Sequence, residues 1–240
     1  MRRRLLIAAL LGLFVFIAGC SALSPGGDGI DREALGANET YTWETSADVT
    51  VDVQTDHYEV VVAIENRSTV GLSAFERLNE RRPLGLQAVA FRYPNGTVVR
   101  VAAMSVETNG SHTRVTLPAS DGQFAYRVAK PGKAIHMDTP RSGTYEVLLP
   151  PETHVRYPLL GRVQPDGYET STTDGRVHLR WADLTADQVT VEYYLVRDLF
   201  LFAGLVALGL SAGAAVLVYF WLQLRRLRER RQAVDLEDGE

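Results

Sequence analysis

The sequence predicts a mainly β protein: an antiparallel β-sandwich-like ectodomain, in one or two subdomains, followed by a single C-terminal transmembrane α-helix. Three observations carry this. Between residues 38 and 197, short runs rich in Val, Thr and Tyr alternate apolar with polar positions, the period of a half-buried strand. Asn-Gly and Asp-Gly pairs punctuate these runs and tolerate the positive φ of tight hairpins. Residues 199–222 carry no charge. As a helix they would extend roughly 36 Å, beyond the ~30 Å hydrocarbon core of a bilayer.

Residues 1–19 read as a signal peptide. Arg2, Arg3 and Arg4 form a basic start, and residues 5–17 form an apolar run. The run Ile17-Ala18-Gly19-Cys20 resembles the lipobox of bacterial and archaeal lipoproteins, and that resemblance implies cleavage before Cys20 and lipid attachment to it. Two alternatives stand beside this: an uncleaved signal anchor, and ordinary cleavage without lipid. Cys20 is the chain's single cysteine, which excludes an intrachain disulfide framework and a Cys-rich metal site. Residues 20–37 are rich in Ser, Gly, Pro and Ala and read as a lipid-anchored flexible tether, with one helical turn conceivable at 31–35.

Residues 38–197 form the extracytoplasmic domain. Strands are predicted at 49–53, 58–64, 86–93, 97–104, 113–117, 124–128, 144–149, 176–181 and 189–196. The run at 71–78 reads as a further strand, with a short helix as the alternative. The turn pairs are Asn95-Gly96, Asn109-Gly110, Asp121-Gly122, Asp166-Gly167 and Asp174-Gly175, and the clearest hairpin joins 86–93 to 97–104. A cluster of Pro and Gly near 131–143 marks a candidate subdomain boundary.

After the transmembrane run at 199–222 comes the tail, 223–240. It opens on Arg225, Arg226, Arg228, Arg230 and Arg231 and closes on acidic residues expected to lack regular structure. Basic residues beside a span stay in the cytoplasm, so the tail is expected inside and the domain outside. The Arg block also suits anionic lipid headgroups. Gly209 and Gly213 are four apart, the spacing that lets two membrane helices approach closely, and they are the candidates for helix association.

Composition narrows the function classes. Residues 20–197 carry 17 Lys and Arg against 23 Asp and Glu, so no nucleic-acid-binding basic surface is expected. Lys130 and Lys133 are the only lysines, and acidic groups with few lysines suit a surface kept hydrated in high salt. Four N-x-S/T sequons, at Asn38, Asn66, Asn95 and Asn109, are candidate N-glycosylation acceptors. No catalytic, cofactor or metal residue is assigned. His57, His112, His136, His154 and His178 are scattered without ligand spacing, Asp166, Asp174 and Asp183 match no calcium loop, and no nucleophile elbow or phosphate loop is present.

As a whole the chain resembles a family of haloarchaeal membrane-anchored surface lipoproteins, a domain of unknown function. The resemblance rests on the lipobox-like start, on Asn66-Arg67-Ser68, on the run Phe91-Arg92-Tyr93-Pro94-Asn95-Gly96-Thr97-Val98-Val99, and on the C-terminal span. It implies no activity and no cofactor. The expected role is non-enzymatic: binding, scaffolding or an accessory subunit in the envelope, with membrane lipid and an envelope protein, or a second copy through the span, as partners. An envelope enzyme whose site forms only in the fold is the alternative, and a structural spacer is a third. Carboxylates or histidines converging in a cleft would favour the enzyme, and a broad exposed apolar patch would favour binding.

Overall fold

The computed structural model describes residues 31–75, 81–156 and 160–237. One helical turn, α1 (Arg32–Leu35), opens the chain. The Asp31 carboxylate caps it, accepting from the N–H groups of Glu33 and Ala34, both at 3.0 Å. Leu35 is buried in the main core, so the chain is docked on the domain from this residue on.

The strands are β1 (Val49–Val53), β2 (His57–Ile64), β3 (Thr69–Phe75), β4 (Arg81–Pro83), β5 (Leu86–Arg92), β6 (Val98–Arg100), β7 (Ser105–Asn109), β8 (His112–Thr116) and β9 (Gly122–Ala129). They continue as β10 (Ala134–Asp138), β11 (Gly143–Leu148), β12 (Thr153–His154), β13 (Arg162–Gln164), β14 (Glu169–Thr173), β15 (Arg176–Leu184), β16 (Gln188–Glu192) and β17 (Tyr194–Leu195). One sheet has the order β14-β15-β11-β1-β2-β9-β5-β6. The second runs β13-β16-β10-β3-β8-β7, with β4 also on β3, and β12 pairs with β17. Neighbours are antiparallel except β1 and β11, which run parallel from Val49↔Tyr145 to Asp52↔Leu148. Strands from either side of residues 131–143 share both sheets: β10 lies between β3 and β16, and β11 between β1 and β15.

Alternation explains the layers. Val49, Val51 and Val53 of β1 point inward from the first sheet, and Leu72, Val115, Ile135, Met137, Val189 and Val191 point inward from the second, into one shared core. Each such side chain contributes about 1.5–3 kcal/mol when fully buried. The nearly continuous apolar run of β2 has a second cause. Val61 faces outward, where with Ala88, Ala90 and Ala125 it is covered by Tyr41 and Trp43. Those alanines are small enough for residues 38–48 to lie across the outer face as a strap. The Tyr41 hydroxyl donates to the Ala88 carbonyl at 2.6 Å, and Gln123 Nε2 donates to the Trp43 carbonyl at 2.8 Å. Ala88 itself has φ 50, at the register shift between Gln87 and Ala90 in the β5–β9 pairing.

Several expectations hold closely. The run at 71–78 is a strand as far as Phe75, and the residues beyond it up to β4 lie outside the described residues. The β5–β6 hairpin forms with Arg92↔Val98 in register, and its Gly96 has φ 86. Asp174 and Gly175 both have positive φ, 52 and 74, the geometry of a two-residue hairpin turn between β14 and β15.

Other expectations are corrected. The strand at 97–104 stops at Arg100, and a 3₁₀ turn at Val101–Ala103 brings Val101 against the core. The strand at 189–196 breaks at Tyr193. Tyr193 and Tyr194 are both buried, which consecutive residues of one strand in one sheet do not achieve on a single face, so β17 leaves the second sheet and pairs with β12. The C-terminal helix, α2 (Val196–Glu237), begins three residues before the uncharged run and takes in Asp235 and Glu237 of the acidic end expected to be irregular, whose last three residues lie outside the described residues.

A pH dependence follows from Asp48, just before β1 and beside β11. Its Oδ2 accepts from the Thr144 N–H at 2.8 Å and the Thr144 hydroxyl at 2.9 Å, with Arg141 at 3.5 Å from Oδ1. The Thr144 backbone bond, then its hydroxyl and Arg141, hold this carboxyl below the usual range against the opposing effect of burial. A depressed folded value means the contribution is complete above the unfolded carboxylate value, about 3.9, and is lost as pH falls through the lower folded value. Urea titrations at pH 7 and near pH 3 are expected to show a smaller acid-induced loss for Asp48→Asn than for wild type. An unchanged loss would assign the acid sensitivity elsewhere.

Candidate functional site

The second sheet carries a groove of about 470 Å³ on the face turned away from the core. Alternation builds it. On β3, Val70 and Leu72 enter the core, which turns Gly71 outward. On β8, Thr113 and Val115 are buried, which turns His112 and Arg114 outward, with Arg114 directly opposite Gly71. At the end of β10, Met137 enters the core and Asp138 faces the groove. Arg81 of β4 and Asp187 complete the charged lining. The Thr139 hydroxyl donates to the Ala186 carbonyl at 2.6 Å, and its N–H to the Asp187 carbonyl at 3.1 Å, which fixes that rim.

Asp138 is the polar group at the floor. The hydroxyl of Ser73, wholly buried, donates to Oδ2. Oδ1 is buried and has no hydrogen-bond partner among the described residues. Burial pushes this carboxyl above the usual range, while Arg81 and His112 pull it the other way. Arg114, which faces Glu107 across the β7–β8 ladder, makes no ion pair or hydrogen bond among the described residues. The groove therefore presents an incompletely bonded carboxylate on one side of Gly71 and an unengaged guanidinium on the other.

A second charged cluster lies on the outer face of the first sheet, beneath the strap. Glu39, His57 and Glu59 place ligand atoms within 4.8 Å of one another, a donor set that zinc accepts. Arg127 already engages one of the three: its guanidinium sits 2.9 Å from Glu39, and 3.9 Å from the neighbouring Asp56. His57 Nδ1 lies 2.7 Å from Asp56, and Nε2 3.5 Å from Glu59. Burial first, then Glu39, pushes the Glu59 carboxyl up. The arrangement latches the strap through Arg127.

The third feature is the junction with α2. Leu195 closes β17 and Val196 opens the helix, with no linker between them. The Leu195 N–H donates to Asp198 Oδ2 at 3.1 Å, Lys133 pairs with the same carboxylate, and the Val196 N–H donates to the Glu152 carbonyl at 3.3 Å. Just above, the buried Lys130 ammonium donates to the carbonyls of Thr55 and Gly132, at 3.0 and 2.7 Å, and to the Tyr193 hydroxyl at 2.7 Å. Burial pushes that ammonium down. From Val196 to Arg225 the helix is long and apolar enough to cross a membrane. From Phe200 on, its Phe, Leu and Val side chains are exposed, whereas Val98 is the one strongly exposed large apolar residue on the described part of the sandwich. A broad apolar patch on the domain is thus absent among the described residues, and the cleft with converging carboxylates and histidine is present.

The candidates from sequence are not brought together. Cys20 lies outside the described residues. Asn38, Asn66, Asn95 and Asn109 are all exposed: Asn38 in the strap, Asn66 between β2 and β3, Asn95 in the β5–β6 turn, and Asn109 on the rim of the groove. Gly209 and Gly213 lie on the exposed helix, and a Cβ added at either meets nothing within 4 Å. Arg225 stacks 5.8 Å from the Trp221 ring, and Arg226, Arg228, Arg230 and Arg231 follow on the same helix. Asp166, Asp174 and Asp183 form no shared ligand cluster among the described residues. His178 pairs with Glu146 at 2.9 Å. Sequence reasoning missed Gly71, Arg81, Arg114, Asp138 and Asp187. The one available signal was Gly71, a glycine inside a strand pattern, which marks a bulge or a close approach.

A family model described as a family of unknown function matches residues 45–239, beginning within the strap and running through α2. No curated protein matches the chain, and no solved structure does.

Proposed function

We infer the role of this chain, which belongs to the DUF5803 family of unknown function, from its geometry. It is a membrane-anchored protein of the cell envelope. Its β-sandwich stands outside, its C-terminal tail lies in the cytoplasm, and its work is non-enzymatic binding of an envelope partner. The observation that carries this is the junction: the last strand passes without a linker into an apolar helix whose side chains find no cover on the sandwich. The Arg residues from Arg225 onward support the orientation, since basic residues are retained inside. Lipid on Cys20 would tie the other end of the domain to the same surface, and sugar on the exposed sequon asparagines suits an outside domain.

Binding is favoured over catalysis because both hydroxyls at the groove are committed: that of Thr139, on its rim, to the Ala186 carbonyl, and that of Ser73, wholly buried beneath it, to Asp138. The convergence of His112, Asp138 and Asp187 supports an envelope enzyme as the second reading.

Two measurements test this. A membrane-impermeant maleimide is expected to label Val98→Cys in intact cells, and Gln232→Cys only after permeabilisation, each in a Cys20→Ser background. The reverse pattern would overturn the orientation. Crosslinking of the tagged full-length protein in cells, against a control with another ectodomain on the same helix, is expected to yield a stoichiometric partner only with the native sandwich. A partner kept by the control would move the function into the helix and its Gly209–Gly213 face.

A further inference from the structure

We propose that the groove over Gly71 binds a small zwitterion, a free amino acid or short peptide, with its ammonium on Asp138 and its carboxylate on Arg114. The proposal rests on the reading of the sandwich as a binding module and gives that module a ligand class.

Three independent features of the groove point this way. Asp138 lines the groove, and its Oδ1, shut off from solvent, has no partner among the described residues, which is unfavourable, so turning this oxygen toward a donor in the groove would relieve it. Ser73 satisfies only the other oxygen, so the site lacks a donor, and a primary ammonium supplies one together with the complementary charge. Across Gly71, the guanidinium of Arg114 offers the planar fork that grips a carboxylate through two parallel bonds. Gly71 itself has an ordinary backbone, since it is not among the glycines of positive φ, and a Cβ added there meets nothing within 4 Å. Backbone geometry does not demand glycine at this position. A ligand lying on the strand does, because any side chain would occupy the floor between Asp138 and Arg114.

The volume, about 470 Å³, falls in the range of small-molecule sites, ~300–1,000 Å³. A simple anion would be repelled by Asp138, and a simple cation by Arg114 and Arg81, so the paired charges select a ligand carrying both.

The test is calorimetric titration of the full-length protein in lipid nanodiscs. Glycine, glutamate and dialanine are the zwitterionic probes. Acetate and methylammonium present each half alone, and N,N,N-trimethylglycine keeps both charges but has no N–H. At least one primary-amine zwitterion is expected to bind with Kd of about 1 mM or tighter. Acetate, methylammonium and trimethylglycine are expected to bind at least about tenfold more weakly. Tighter binding of dialanine than glycine identifies a peptide site, and the reverse a free amino-acid site.

Gly71→Leu and Arg114→Gln are both expected to reduce affinity at least about tenfold. Both positions point into open groove, so the melting temperature should stay at the wild-type value, which separates lost binding from lost folding. Binding that survives both substitutions, acetate matching glycine, or no zwitterion binding at about 10 mM would each overturn the proposal. A stoichiometric crosslinked partner without zwitterion binding removes the ligand class and leaves the binding module. Failure of both removes the module as well.

Discussion

Replacing Trp181 with alanine is expected to lower the melting temperature of the sandwich by roughly 10 °C. Trp181 is 2% exposed, the largest of the fully buried side chains, and lies on β15 beside the parallel β11–β1 pair. Its ring packs 5.5 Å from that of Tyr168, and its indole N–H donates to the Pro165 carbonyl at 3.1 Å. Truncation removes that contact area and leaves a cavity, which costs about 3–5 kcal/mol. In a domain of this size each kcal/mol shifts the melting temperature by roughly 2–4 °C. Trp181→Phe keeps an aromatic ring but leaves the Pro165 carbonyl unpaired, so it should fall between the two, at a cost of about 1–3 kcal/mol. Thermal unfolding followed by near-ultraviolet circular dichroism reads both. A loss under about 1 kcal/mol for the alanine variant would show that the two sheets do not close around this residue.

The second large effect concerns attachment. Deleting residues 196–240 is expected to weaken membrane association without abolishing it, and combining that deletion with exchange of residues 1–20 for a cleaved signal peptide lacking cysteine is expected to move the protein almost wholly into the soluble fraction. Cys20→Ser alone should change nothing. The asymmetry follows from the anchors: a transmembrane helix is effectively irreversible, whereas a single acyl chain binds with an association constant of only about 10⁴ M⁻¹. The deletion ends after Leu195, so β17 keeps its pairing with β12 and the sandwich keeps its core. Fractionation before and after a carbonate wash measures the distribution. Complete release by the helix deletion alone would refute a lipid on Cys20.

Much of the sandwich is legible in the sequence because its inner strands bury every second residue. β1 reads Val-Thr-Val-Asp-Val and forms over those same residues. The strands that escaped reading lack that imprint. β14, Glu169–Thr173, is exposed along its whole length at the edge of the first sheet and contributes no apolar residue. β7 is nearly as exposed at the edge of the second. β10 does alternate, with Ile135 and Met137 inward, but Pro131-Gly132 and Pro140 bracket it so closely that the stretch reads as a boundary. The parallel β1–β11 pairing left no local trace, since it joins residues nearly a hundred positions apart.

The groove was hidden for the same reason. It draws on β3, β4, β8, β10 and the turn at Asp187, and no two of its charged residues lie at a spacing that suggests a site. Asn109 was visible as a sequon, but its place on the groove rim was not. A glycan there would stand at the mouth of the groove, so occupancy of that sequon and access of a bulky ligand would compete.

The join between Leu195 and Val196 also has a mechanical meaning. With no compliant residue between strand and helix, and with Lys133 and Glu152 gripping the first helical turn, the sandwich turns as the helix turns. Spanning helices lean by about 20° on average, and the lean responds to the hydrophobic thickness of the bilayer. Asp138 stands four residues along β10 from Ala134, roughly 13 Å at 3.3 Å per residue, so a change of lean on that scale would displace it by roughly 5 Å relative to Ala134, which pairs with Glu192 near the join. With α2 in a bilayer, as proposed, the sandwich would act as a lever on that helix, and lipid composition would set the angle at which the groove is held.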